Sequence, residues 1–449
     1  MFKGTEIIKA GAGMPVKDTA SRLMGEMLSR PRIYGWHVDP SISDPAQAVT
    51  YLADAVGKAP AAMGATEFSY GDWSDAFFMP KPCMLRSDGT VAYYLDPDDY
   101  TKKADGTASD VANASFEGNA MMEWPLIWYK FEAGAAEGEG YFYCSDQQVD
   151  SSYKCWCNIN ANDEMIPHFY TAIYASTVHS SRFRSLSGQQ LTQESGNGYH
   201  VGAQEMQLSQ ANNTTTAVEW NSALFCDRML INALMILISK SLDNHATFGK
   251  GKQTSSYSSS PKGLYDIQNY ITGTMNDKGL FYGSTTDPTV PVKIFGIENW
   301  YGLEYIRILG LIRTISGSAH SLKAKLTYGT QDGSTVTGYN GTGNGYIDLG
   351  LLPGSSSAGY VLLNKLKFSQ YGFIAGGLAS SETDYWITRW YNNNVSDARM
   401  GAASGQAAWL SEQRGRDALS YLLGAYYDVG MATDWTASTT LSCKPVNRR

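Results

Sequence analysis

Catalysis near neutral pH needs nucleophiles, bases or metal ligands at workable spacings, and this chain of 449 residues offers few. It has no G-x-S-x-G elbow, no H-E-x-x-H pair, no G-x-x-x-x-G-K-[ST] phosphate loop and no G-x-G-x-x-G turn. Gly341-x-Gly343-x-Gly345 lies in a turn-rich stretch without a flanking strand and helix, so it does not read as a phosphate cradle. His37, His168, His179, His200, His245 and His320 are isolated, with none paired at i, i+4. His168, between Pro167 and Phe169-Tyr170, reads as a packed or hydrogen-bonded ring. Chain order does not forbid a triad assembled in space, but nothing singles one out.

Metal chemistry has thin support. Asn158-x-Asn160-x-Asn162-Asp163 sets oxygen donors at alternate positions, and Asp96, Asp98 and Asp99 form a second oxygen-rich group. Calcium is the cation such donors would take, but the glycine and bidentate glutamate of an EF-hand are missing. Both stretches read rather as solvated turns than as calcium sites, and no cofactor is expected. Cys155-x-Cys157 is too close for a usual zinc knuckle. With Cys83, Cys144, Cys226 and Cys443 it reads as buried, reduced thiols rather than a disulfide framework. A carbohydrate-active enzyme would need paired carboxylates. Glu298, Glu304, Asp384 and Asp397 are the candidates, and no spacing joins any two. The chain is therefore expected not to be an enzyme.

Binding chemistry is better represented. Between Tyr385 and Trp435 stand Tyr385, Trp386, Trp390, Tyr391, Trp409, Tyr426 and Tyr427. Arg389, Asn393, Asn394, Asp397, Arg399, Arg414 and Asp428 are interleaved with them. Rigid amphipathic rings beside adaptable polar groups are the composition of a recognition surface. The same residues could also build an aromatic β core with polar turns, and composition alone does not separate the two.

The elements that must position these residues read as follows. Residues 1–31 form a separate arm, with a short helix carrying Leu23, Met24, Met27 and Leu28 on one face, ended by Pro31. It suits attachment or oligomerisation, or packing on its own domain. Residues 32–205 read as a β-rich part, with strands at Thr90–Leu95, Trp124–Phe131 and Tyr141–Cys144. A helix is expected at Pro45–Val56, where Val49, Leu52, Ala53 and Val56 share a face. Residues 206–449 form the core part. Cys226–Leu242, apolar nearly all round, predicts a buried helix. Tyr328–Gly345 reads as a hairpin or long loop, and strands return at Tyr360–Phe368 and Tyr385–Trp390.

Composition limits the partners. Lys+Arg is 35 against Asp+Glu 43, a net charge of −8, which argues against a nucleic-acid backbone or an anionic membrane as partner. No apolar run reaches the length of a bilayer span; Met229 to Ile238 is the longest and contains Asn232. The N-terminus lacks the apolar core of a secretory signal, so synthesis in the cytoplasm is expected.

Several segments together resemble a known group. Tyr34–Gly57 (YGWHVDPSISDPAQAVTYLADAVG) and Ala76–Tyr94 resemble the opening of phage structural proteins from gut bacteria, and Trp124–Phe131, Tyr141–Asp146 and Ile166–Tyr170 do too. The helix opening Cys226-Asp227-Arg228, Phe295–Gly302 (FGIENWYG) and Leu441–Pro445 (LSCKP) continue the likeness. That group is similar to C-type-lectin-fold proteins of the formylglycine-generating-enzyme-like branch, many of them variable proteins of diversity-generating retroelements.

The resemblance implies an α+β C-type lectin fold with mixed short strands, one buried core helix, long irregular loops and the small N-terminal helical arm. It matches the branch's Trp-rich strand to Asn299–Tyr305, its Gly-rich strand to Ala398–Gly405 and its last strand to Thr439–Cys443. Its usual Gly-Gly-Ser is Gly401-Ala402-Ala403-Ser404 here, and Gln406–Arg416 reads as an insertion. The oxidase activity is not implied, because only Cys443 remains in the C-terminal part where a reactive cysteine pair is needed.

The function implied is a phage receptor-binding protein or adhesin, displaying a diversified surface at about 385–435 toward a bacterial surface glycan or protein. It would sit on the virion, at the tail or capsid surface, beside other virion proteins, as a homo-oligomer for which a trimer suits a fibre tip. A bacterial cell-surface location and a purely architectural tail, baseplate or decoration role are the alternatives.

Overall fold

The computed structural model describes residues 30–190, 202–214, 219–251, 270–287, 289–301, 305–316, 319–340, 343–352, 359–378, 388–392, 399–404, 425–427 and 437–446. The expected helical arm lies almost wholly outside them.

The first part of the chain forms β1 (Ile33–Val38), β2 (Val49–Ala53), β3 (Ala62–Met63), β4 (Phe68–Ser69), β5 (Lys81–Arg86) and β6 (Val91–Tyr94). There follow β7 (Gly118–Pro125), β8 (Trp128–Ala133), β9 (Gly140–Ser145), β10 (His168–Ala172), β11 (Thr177–His179) and β12 (Arg182–Arg184). Next come α1 (Gly202–Gln210), β13 (Trp220–Ser222), α2 (Phe225–Ser239), the short α3 (Asn244–Thr247), β14 (Lys293–Ile294) and β15 (Ile297–Glu298). The last part holds β16 (Tyr305–Ser316), β17 (Ala319–Ala324), β18 (Ile347–Leu352), β19 (Gly359–Ser369) and β20 (Gly372–Leu378). It ends with β21 (Thr388–Asn392), β22 (Arg399–Ser404), β23 (Ala425–Tyr427), β24 (Ala437–Ser438) and β25 (Leu441–Cys443).

Three larger sheets organise these strands. A four-stranded sheet runs β2-β1-β9-β8, a six-stranded one β13-β25-β10-β7-β5-β6, and a nine-stranded one β18-β17-β16-β22-β23-β21-β19-β20 with β24 beside β16. Alternation makes the four-stranded sheet one-sided: Tyr34, Trp36 and Val38 of β1 are buried, as are Phe142 and Cys144 of β9. Gly140 is needed where this sheet meets β19, because a Cβ there would stand 2.2 Å from the Phe368 ring.

Helix α2 is the centre of the core, and all of its residues are buried. It has no polar face because strands and loops surround it. Midway along it, the buried Asn232 accepts the Trp300 indole N–H at 2.9 Å. Trp36 ties the four-stranded sheet to the helix through an indole N–H to the Ala233 carbonyl at 3.0 Å. The helix ends at Lys240, which takes a left-handed φ of 52° and returns its N–H to the Ile236 carbonyl.

The α+β C-type-lectin architecture expected from the sequence is corrected by this structure. Strands hold 35% of the chain and helices 10%, in several antiparallel sheets, so the fold is nearly all-β. Part of the overestimate of helix is local. Pro45–Val56 is not a helix: Val49–Ala53 is β2, with Val49 and Tyr51 buried and Thr50 exposed between them. β-Branched and aromatic residues in alternation had the strand period, and the pairing of Tyr51 with Trp36 selects it. Asn299–Tyr301 is likewise not strand; it follows the hairpin β14–β15. Trp124–Phe131 divides between β7 and β8 at Leu126-Ile127. The boundary drawn at residue 205 falls within a shared sheet, since β25 lies between β10 and β13.

Candidate functional site

The residues singled out as ligand contacts fall into two groups. Arg389 and Tyr391 lie on β21, Arg399 on β22, and Tyr426 and Tyr427 on β23. Tyr385, Trp386, Asn393, Asn394, Asp397, Trp409, Arg414 and Asp428 lie outside the described residues. The three strands are neighbours in the order β22-β23-β21. Their register sets Trp390 beside Tyr426 and Tyr391 beside Tyr427 in a parallel pair. Tyr426 and Tyr427 pair in turn with Ala403 and Ala402. Thus small residues occupy β22 where the tyrosines of β23 cross it. Because β21 and β23 are parallel and β22 opposes β23, β21 ends, β22 begins and β23 ends at one end of the sheet.

Fixed structure brackets these strands. Beside β22, β16 carries Arg307, buried and ion-paired to Glu205 of α1. Thr439, just beyond β24, donates its hydroxyl to the Arg307 carbonyl at 3.1 Å. The chain then enters the six-stranded sheet as β25, with Tyr170 and Trp220 both opposite Cys443.

A buried polar centre locks that ending. The Lys444 ammonium donates to Asp227 Oδ1 at 2.9 Å and lies 3.7 Å from Cys226 Sγ, and Ser442 donates to Asp227 Oδ2 at 2.9 Å. Burial works against the Lys444 charge, but Asp227, Cys226 and Cys157 outweigh it and hold the ammonium's pKa above its ordinary value. Cys157, Cys226 and Asp227 are the group of soft and hard donors that could face one metal ion among the described residues. The Lys444 ammonium already stands at Asp227, so a cation there would compete with a built-in one. Burial raises the Cys226 thiol well above its usual range, so this sulfur is held in its neutral form at neutral pH.

The calcium candidates are engaged in turns. Asn160 Oδ1 accepts the N–H groups of Asn162 and Glu164, and Asn158 Oδ1 accepts that of Ile127. Asp163 receives Thr330 and Gln331 from a distant loop. Asp96 accepts the Asp98 N–H, and Asp99 pairs with Thr101 and Lys102. Of the carboxylates considered for catalysis, Glu298 is buried; Glu304, Asp384 and Asp397 lie outside the described residues. Glu298 accepts the Met275 N–H at 3.0 Å on one oxygen, and the Gly273 N–H at 2.9 Å and the Tyr270 hydroxyl at 3.2 Å on the other. Such a carboxylate fixes a loop. Across the β14–β15 hairpin, Lys293 donates to the Met275 carbonyl at 2.8 Å, and burial lowers its pKa to about 7.

Sequence reading missed the buried lysines Lys293 and Lys444. Lys293 carried no signal, because its partners come from residues 275 and 298 in an irregular region. Lys444 stood in the recognised LSCKP ending, but a lysine near a chain end reads as exposed.

No helix among the described residues is long and apolar enough to cross a membrane. Compared with family models and with curated proteins, the chain matches none.

Proposed function

We propose that this chain is a ligand-binding subunit of a phage particle that attaches to a molecule on a bacterial surface. The observation that carries the reading is the convergence of Arg389, Tyr391, Arg399, Tyr426 and Tyr427 onto three adjacent strands of one sheet. Residues far apart in sequence come onto neighbouring strands of one sheet, and tyrosine and arginine are the residue types that dominate binding energy at interfaces. The ordered resemblance of segments from Tyr34 to Pro445 to phage structural proteins supports the setting, at the tail or capsid surface.

Mechanistically, the reading is one of complementarity without bond chemistry. Tyrosine rings supply contact area at low entropic cost, and arginines orient a polar or anionic partner. The segments leaving the shared end of β21 and β23 vary in this reading, while β16 and β25 hold the frame. Weak single sites suffice if many copies sit on one particle, since linked sites gain avidity without new contacts.

The test is binding of the purified full chain to a panel of gut bacteria, beside Tyr391→Ala/Tyr427→Ala checked for an unchanged thermal transition. Selective binding by the wild type, weakened at least about ten-fold in the variant, supports the reading. Absence of binding, or equal binding by both, points instead to an architectural role inside the particle. The diversified surface has its own check in the DNA. A near-copy of the gene's 3′ end differing at adenines, beside a reverse-transcriptase gene, is expected.

A further inference from the structure

Between β17 and β18 the chain runs as an irregular strap, and residues 325–340 of it fold around a small core of their own. The buried Lys325 ammonium donates to the Gly329 carbonyl, to Ser334 Oγ at 2.9 Å and to the Val336 carbonyl at 2.9 Å. Asp332 accepts the Leu326 N–H at 2.7 Å on one oxygen and the Ser334 N–H at 2.8 Å on the other. Tyr339 adds its hydroxyl to the Thr327 carbonyl at 2.7 Å. Groups that satisfy one another inside a segment hold its shape without help from its neighbours, so the strap has the cohesion to move as one body.

The strap covers the polar centre at the start of α2. Its Tyr328 is buried, and burial raises the phenol well above its usual range, with the Asp227 charge adding to the rise and the Ser442 hydroxyl opposing it. The Tyr339 ring meets Tyr328 edge-on at 6.1 Å, and the Cys226 sulfur acts on both phenols. Tyr328 therefore stands on the polar centre, and the half-buried Tyr339 stands outside it. Ser442 and Lys444 both hold Asp227, so what happens under the strap bears on the pairing that fixes the end of β25.

Outside itself the strap is fastened to Asp163, in the turn before β10. The Asp163 carboxylate accepts the Thr330 N–H, the Thr330 hydroxyl at 2.7 Å and the Gln331 N–H at 2.9 Å, and the Asp163 carbonyl accepts the Gln331 side-chain amide. Gly329 permits this approach, because a Cβ there would stand 2.0 Å from the carboxylate. Asp163 keeps a left-handed φ of 60° to make these contacts, a conformation aspartate takes at some cost. All of them lie at the surface, where water competes for the same groups. At its start the strap is tied to β16 by the Lys325 N–H on the Gly310 carbonyl at 2.7 Å, which marks the hinge. We infer that residues 325–340 are a hinged strap, latched by Asp163, whose release uncovers the polar centre at Cys226 while the sheets stay folded. The device uses no residue of β21–β23 and stands or falls separately from ligand binding there.

The buried cysteines report on it. The full native chain is treated with iodoacetamide, and alkylation of each cysteine is followed by peptide mass mapping. Cys226 lies under the strap, whereas Cys83 and Cys144 are buried on β5 and β9 and open with the sheets. Cys226 is expected to be alkylated ahead of Cys83 and Cys144. Asp163→Gly, which suits the left-handed turn and removes the latch, should raise the Cys226 rate at least about ten-fold and leave the other two unchanged. Thr330→Val, which removes one latch contact from the strap side, should give a smaller rise of the same kind. Alkylation of all three cysteines at one rate in the wild type, a rise shared by all three in Asp163→Gly, or a Cys226 rate unchanged by it overturns the proposal.

Discussion

At the scale of single residues, two buried lysines hold distant parts of the chain together. Lys444 and Asp227 are separated by 217 positions and meet at 2.9 Å, with both side chains almost fully buried. Lys444→Met leaves a buried carboxylate with the Ser442 hydroxyl and the Cys226 thiol as its remaining partners, and a loss of about 3–5 kcal/mol is expected in denaturant titration. Adding Asp227→Leu to Lys444→Met should recover much of that loss, because the uncompensated charge is then gone. Lys293 makes a pH prediction. Its folded-state pKa is lowered to about 7, so between there and the ordinary lysine value the unfolded chain holds more protons. Stability from this group therefore rises as pH goes from about 7 to about 10, and Lys293→Met should flatten that rise in chemical melts. Burial raises the Glu298 carboxyl, and its contribution falls with pH in a lower window, so the two are separable. None of this was legible in the sequence: lone lysines carry no periodicity, and ion pairs across such separations leave no local pattern.

At the scale of elements, legibility followed periodicity. The run from Met229 to Ile238 was apolar nearly all round, and α2 is buried on every side. The polar exception, Asn232, has its reason in Trp300. Asn232→Leu should cost about 1–3 kcal/mol through the orphaned indole N–H, measured by thermal melting. Val49–Ala53 misled because five residues can match a helical face and a strand alternation at once. The deciding partner, β1, lies elsewhere in the chain. β25 is only three residues long, yet it completes the pairing between β10 and β13. Removing residues 441–449 is expected to abolish a cooperative transition by near-UV circular dichroism, because two interior edges and the Lys444 partner set open together. A truncated chain that melts like the full one would show that β25 is dispensable.

At the scale of the whole molecule, the C-terminal region is held at both ends. β16 precedes it, β25 follows it, and between them the chain contributes β21, β22 and β23 to the centre of the nine-stranded sheet. A frame closed on both sides lets the intervening segments change without reopening the core, which is the physical requirement of a surface that varies. The composition of residues 385–435 suits a recognition surface and an aromatic β core alike, so it raises binding as a proposal without deciding between them. The architecture was not legible, because sheet order depends on pairings between remote strands that composition does not record. The α+β expectation came from resemblance and from one misread helix, and the nearly all-β structure replaces it. The most direct measurement is adhesion of the purified chain to a panel of gut bacterial strains, with Tyr391→Ala/Tyr427→Ala as the folded control. The account expects strain-selective binding that falls at least about ten-fold in the variant. Binding to no strain, or binding unchanged by the substitutions, would contradict it.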